Sequence, residues 1–169
     1  MPIVMADIPF EIVPLLDQYK VAEQSIQTLI GPISHGLCLE CGGNCCQEAI
    51  CRESIQSPFL NVLIQMQNLA YNDSYGWLAD SGCRLRYGRP QVCYSYFCQE
   101  VMDKQPDLSQ RIDGVIRAFT ASGDHALGGS HLISVENLDE LSLHKISKII
   151  DKMNQVFHMI ASTQSHPPA

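Results

Sequence analysis

Residues 145–160 read KISKIIDKMNQVFHMI, and their spacing decides the fold class. Ile146, Ile149, Ile150, Met153, Val156, Phe157 and Ile160 recur at intervals of three and four, which on a helix gathers all seven on one face. The helix this predicts spans about 137–162. A stripe of that width is what a helix buries against the core of its own chain. The same stripe would also serve as the seam of a homodimer formed through the C-terminal helix.

The helical period continues toward the N-terminus. In DLSQRIDGVIRAFTAS (107–122), Ile112, Val115, Ile116 and Phe119 share a face. SPFLNVLIQMQNLAY (57–71) opens on Ser57 as an N-cap with Pro58 at the first helical position, a buried strand over 59–64 being the alternative. QVCYSYFCQEVMD (91–103) reads as a helix opened by Pro90 and stopped by Pro106. EIVPLLDQYKVAEQSIQTLI (11–30) sets Ile12, Leu15, Leu16, Tyr19 and Ile26 near helical spacing, with Pro14 tolerable in the first turn and Gly31-Pro32 as its end. Between these elements, 33–56 reads as an irregular loop, 72–90 as turns that return the chain to that loop, and GDHALGGSH (123–131) as a flexible link. The tail STQSHPPA reads as disordered, with the domain limit placed at residue 163 and 164–169 beyond it. The expectation is a single, mainly α domain with long cysteine-rich metal-binding loops: a cluster core at about 35–100 and C-terminal helices at about 107–162.

With 169 residues the chain is long enough to bury a core without disulfide staples. Its formal net charge is −7, so nucleic acid is a poor partner, since phosphate binding needs a basic surface. Residues 1–56 hold seven carboxylates against Lys20 and Arg52, whereas Arg84, Arg86 and Arg89 make one local basic patch. The opening MPIVMADIPFEIVPLL has no basic segment, and Asp7 and Glu11 interrupt it, so no secretory signal is expected. No run of about 18 apolar residues is present, so no membrane span is expected either. These absences point to a reducing cytoplasm, where clustered thiols mean metal or catalysis more often than disulfides.

The thiols are indeed clustered. HGLCLECGGNCC (35–46) holds Cys38, Cys41, Cys45 and Cys46, four of the eight cysteines; the others are Cys51, Cys83, Cys93 and Cys98. Two thiolates two residues apart can share one ion, and the glycines after Cys41 let the chain turn and aim N–H groups at the sulfurs. Zinc and four-thiolate iron both use that form. The glycine pair also breaks the helix that a thioredoxin-like redox motif would need. A closed tetrahedral site requires four donors, so the knuckle needs partners among the other six cysteines, with His35 as a further candidate. Adjacent side chains such as Cys45 and Cys46 diverge, and on a helix Cys93 and Cys98 stand about 140° apart. Eight thiols therefore allow two four-thiolate sites or one with spares, and Cys51 and Cys98 also fit plain buried core thiols. The ferredoxin run of closely spaced cysteines ending in Cys-Pro is absent.

Cys38, Cys41, Cys45 and Cys46, followed in order by Cys83, Arg89-Pro90 and Cys93, resemble the CxxCxxCC cysteine-cluster family, the YkgJ-type domains described as chelating zinc or iron. The match covers about residues 35–100. It departs from the family pattern in a spacer one residue longer before Cys45-Cys46, in Arg86 at the usual tyrosine position, and in Trp77 before Leu78 where a cysteine often stands. The resemblance implies chelation of zinc or iron, as a single ion or an iron–sulfur cluster, by the eight cysteines, with no defined reaction. The cluster is also similar to that of the flagellin lysine methylases, so an iron–sulfur enzyme or electron carrier is the alternative. No glycine-rich strand-to-helix motif for a methyl donor accompanies it.

The arginines between Cys83 and Cys93 could grip an anion; charge beside an ion more often answers the ion, which makes Arg89 the candidate to stand behind the thiolates. Tyr94, Tyr96 and Phe97 read as core aromatics, and His125 and His131 as mobile surface histidines with a weak metal signal.

Overall fold

A computed structural model describes residues 8–40, 47–79, 82–95, 103 and 106–165, with side chains except at 33–40 and 108. Cys41, Cys45, Cys46, Cys98, Tyr96 and Phe97 lie outside the described residues, as do 166–169 of the tail.

After a 3-10 turn at Phe10–Ile12, helix α1 covers Val13–Glu40, α2 Glu48–Gln56 and α3 Pro58–Gln65. A two-stranded antiparallel hairpin follows, β1 (Leu78–Ala79) with β2 (Gly82–Cys83), in which Leu78 pairs with Cys83. One helical turn, α4 (Val92–Ser95), precedes the two long C-terminal helices, α5 (Pro106–Thr120) and α6 (Leu143–Gln164). The described chain is thus mainly helical, as the periodicity requires.

The main core lies between α1, α5 and α6, which pack on one another. Ile12, Leu15, Leu16, Tyr19 and Ile26 enter it from the N-terminal side, Ile112, Val115, Ile116 and Phe119 from α5, and Ile146, Ile149, Met153, Val156 and Ile160 from α6. Ile150 and Phe157 pack at its edge. The apolar stripe of residues 145–160 is therefore occupied by the chain's own core. Tyr19 sits at the centre, edge-on to Phe59 with centroids 5.1 Å apart and 4.7 Å from Phe119. Residues 59–64 are helical: the Ser57 hydroxyl accepts from Leu60 N–H at 3.3 Å and Pro58 follows it. Phe59, Leu60, Val62, Leu63 and Ile64 are all buried, and a segment buried nearly all round carries no period to separate helix from strand.

Three expectations are corrected. Gly31-Pro32 does not end α1, which continues to Glu40. Pro32 is exposed, and so is Thr28, whose carbonyl loses its donor to the ring, so water can take that bond at small cost. Residues 33–56 are not one irregular loop, because α1 extends into them and α2 forms. In α2 Glu48 and Arg52 pair at 2.7 Å one turn apart, while Cys51, Ser54 and Ile55 turn inward. Pro106 begins the helix that runs to Thr120, and of the helix expected over 91–103 only residues 91–95 and 103 are described, with Val92–Ser95 helical. The tail is helical through Gln164, with Thr163 buried. The 123–131 link is a turn pinned by a 2.9 Å contact between the Asp124 carboxylate and the His131 ring. No helix among the described residues is long and apolar enough to cross a membrane.

This packing sets an expected outcome. Phe119→Ala, which empties the space between Tyr19 and Tyr94, should cost about 3–5 kcal/mol in urea unfolding. Phe10→Ala, at a residue 85% exposed, should stay within about 0.5 kcal/mol.

Candidate thiol site and the segment that carries it

Cys51 and Cys83 belong to a second, smaller core with Ile64, Trp77 and Leu85, walled by Ile55, Leu69, Tyr71 and Leu78. Cys51 comes from α2 and Cys83 from the end of the hairpin, so two distant stretches of chain meet there. Neither is in a disulfide. The wall is fixed by polar contacts. The Trp77 indole N–H donates to the Ser54 hydroxyl at 2.7 Å, and that hydroxyl donates to the Cys51 carbonyl at 2.6 Å. Tyr71 stands edge-on to Trp77 and its hydroxyl donates to Glu48 at 2.6 Å, tying α2 to the turn. Gly76 has φ +61°, and a Cβ there would stand 2.5 Å from Cys51 Cβ and 2.8 Å from its Sγ. Only glycine leaves room for the thiol.

Burial pushes the Cys83 thiol up; the Arg89 charge and a hydrogen bond from the Leu85 N–H act the other way, and a charge on Cys51 would raise it further. The two thiols thus share one small core. Thiolate donors of this kind suit zinc or iron. Among the described residues no three His, Cys, Asp or Glu side chains converge into a metal-holding group.

The segment after Cys83 is held by side chains from other elements. Glu23, on the buried face of α1 with no exposed surface, accepts from Gly88 N–H at 2.6 Å, from Arg89 N–H at 2.8 Å and from the Tyr94 hydroxyl. Gln27, one turn on, donates to the Arg86 carbonyl at 2.8 Å and to the Tyr94 hydroxyl at 3.1 Å. The Gln67 amide accepts from Arg86 N–H at 2.8 Å and donates to the Tyr87 carbonyl at 2.9 Å. Arg89 folds its guanidinium back on the Leu85 carbonyl at 2.7 Å. Gly88 has φ +78°, which turns successive N–H groups toward the one carboxylate.

Burial pushes the Glu23 carboxyl up to about 7, against the pull of Tyr94, the Arg89 and Gly88 N–H groups and the Arg89 charge. The ionisable groups that face it are Tyr19 on α1, Tyr94 on α4, and Arg89 and Cys83 in the segment. Tyr94 is itself pushed well above its ordinary value by burial and then by Glu23.

The remaining sequence candidates are dispersed. Cys38 lies on α1, which is helical through Glu40; the rest of the expected knuckle, from Cys41 on, lies outside the described residues. Cys93 is exposed on α4. Arg84 donates to the Ala70 carbonyl at 2.8 Å, and the Arg86 side chain is exposed. Tyr94 is core, as expected. Glu23 was not singled out by the sequence reading. Its signal is a carboxylate one turn after Tyr19, within the apolar stripe Leu16, Tyr19, Ile26.

Comparison of the chain with protein-family models, with curated proteins and with solved structures finds no match, so the site stands on its own geometry. Two outcomes test that geometry. Gly76→Ala should destabilise by roughly 1–3 kcal/mol in urea unfolding through the clash with Cys51, whereas Gly31→Ala, with nothing within 4 Å, should be neutral or stabilising. The native Glu23 carboxyl holds its proton to a higher pH than the ordinary 4.5, so its stabilising contribution is full below about pH 4.5 and is lost as pH rises through about 7. Stability of the wild type relative to Glu23→Gln should therefore fall by about 3 kcal/mol across that window. A difference that stays constant from pH 4.5 to 7 would show that burial does not govern this carboxyl.

Proposed function

We propose that this chain is a metal-binding protein whose cysteine thiolates hold zinc or iron, the iron as a single ion or within an iron–sulfur cluster. The observation that carries the reading is the placement of Cys51 and Cys83, both unbridged, in one small core. Two unbridged thiols in one core, with a glycine cleared beside Cys51, suit half of a tetrahedral site. The other donors are proposed from Cys38, Cys41, Cys45, Cys46, Cys93 and Cys98. Arg89 stands where its charge favours the Cys83 thiolate. A reducing compartment fits both unbridged thiols.

Elemental analysis with an absorption spectrum, on protein purified anaerobically, tests this. Stoichiometric zinc in a colourless protein, or iron with visible absorption, is the expected result; folded protein with neither metal refutes it. Acid-labile sulfide would identify a cluster and favour the electron-carrier or enzyme form. Cys38→Ser, Cys41→Ser, Cys51→Ser and Cys83→Ser should each lower the metal content. Retention of full metal by Cys51→Ser and Cys83→Ser together would remove this pocket from the site.

A further inference from the structure

The turn between Cys83 and Cys93 draws its order from three side chains outside it, Glu23, Gln27 and Gln67, which meet the backbone of residues 86–89. Glu23 differs from the two amides. It is fully buried, it is anionic when it accepts all three of its donors, and two of them are successive N–H groups of the turn itself. A carboxylate in a core is retained only where fixed donors replace its water. Gly88 adds a steric half to the fit: a Cβ there would come within 3.1 Å of the Ile64 side chain, so the turn is pressed onto α3 while Glu23 grips it from α1. We propose that Glu23 is a positioning residue of the thiol site, holding the Arg86–Arg89 turn so that Cys83, three residues before it, is in place before a metal arrives. This proposal rests on the metal-binding reading above. Its consequence is that the turn keeps its shape in metal-free protein and that metal affinity depends on a residue that never touches the metal.

The test titrates metal-stripped wild type, Glu23→Gln and Tyr94→Phe with Zn²⁺, or with Fe²⁺ where iron is the metal found. A chromogenic chelator competes, at a temperature where each protein is folded. Amide hydrogen exchange is followed in the stripped proteins. Glu23→Gln opposes an NH₂ group to one of two backbone donors. It should weaken metal binding at least about tenfold and release the Gly88 and Arg89 amides, while the Ile149 and Met153 amides stay protected. Tyr94→Phe keeps both backbone bonds and should weaken binding about threefold. Equal affinity in Glu23→Gln and wild type overturns the positioning role and leaves metal binding standing. Rapid exchange at Gly88 and Arg89 in stripped wild type does the same, since the metal would then be shaping the turn. A wild type that takes up neither ion overturns both readings. If Glu23→Gln does not fold, hydrogen exchange of the stripped wild type decides, and unprotected Gly88 and Arg89 amides overturn the proposal.

Discussion

A single buried carboxylate joins the two halves of this molecule. Glu23 sits on the core face of α1, and its two oxygens take the N–H groups of Gly88 and Arg89 and the hydroxyl of Tyr94. The first helix, the basic turn and α4 are thereby fixed relative to one another by one side chain. Leaving water is costly for a carboxylate, and three donors offset only part of that cost, which is why its proton affinity rises despite them. The contact specifies position more than it adds stability. An apolar residue at 23 would pack as well, but it would leave two N–H groups of the turn without acceptors.

Around this contact the chain builds two cores of different character. The larger one, between α1, α5 and α6, is filled by aliphatic residues and the tilted ring pair Tyr19 and Phe119. The smaller one holds Cys51 and Cys83 and is framed by polar links from Trp77 to Ser54 and from Tyr71 to Glu48. Gly76 lies against the smaller core, where a Cβ would collide with Cys51, and Gly88 lies between the two cores, where a Cβ would crowd Ile64 and Leu63. Close backbone approach of this kind is what a site needs when the chain itself must come near a sulfur or a turn.

Parts of the candidate site were legible in the sequence. The crowding of Cys38 to Cys46 and the distant Cys83 and Cys93 marked the thiols, and the arginines between them marked a local charge. Residues 33–40 were misread as loop because Gly31-Pro32 looks like a terminus, yet an exposed proline whose orphaned carbonyl faces solvent is tolerable inside a helix. Helix α2 was missed because its nine residues are too few and too polar for a period to show; the Glu48–Arg52 pair and the inward Cys51 and Ser54 support it instead. Glu23 reads in sequence as one more acid in an acidic stretch.

By itself the sequence determined the helices whose apolar residues repeat every three to four positions, the Ser57-Pro58 helix start, and the cysteine spacing. Those are local features, written in neighbouring side chains. Only the tertiary structure decided that Cys51 and Cys83 share one core, that Gly76 makes room for a thiol, and that Glu23 holds the Gly88–Arg89 turn. Each joins residues distant in the chain, and whether a polar group in such a pair is buried or solvated depends on packing that no local pattern encodes.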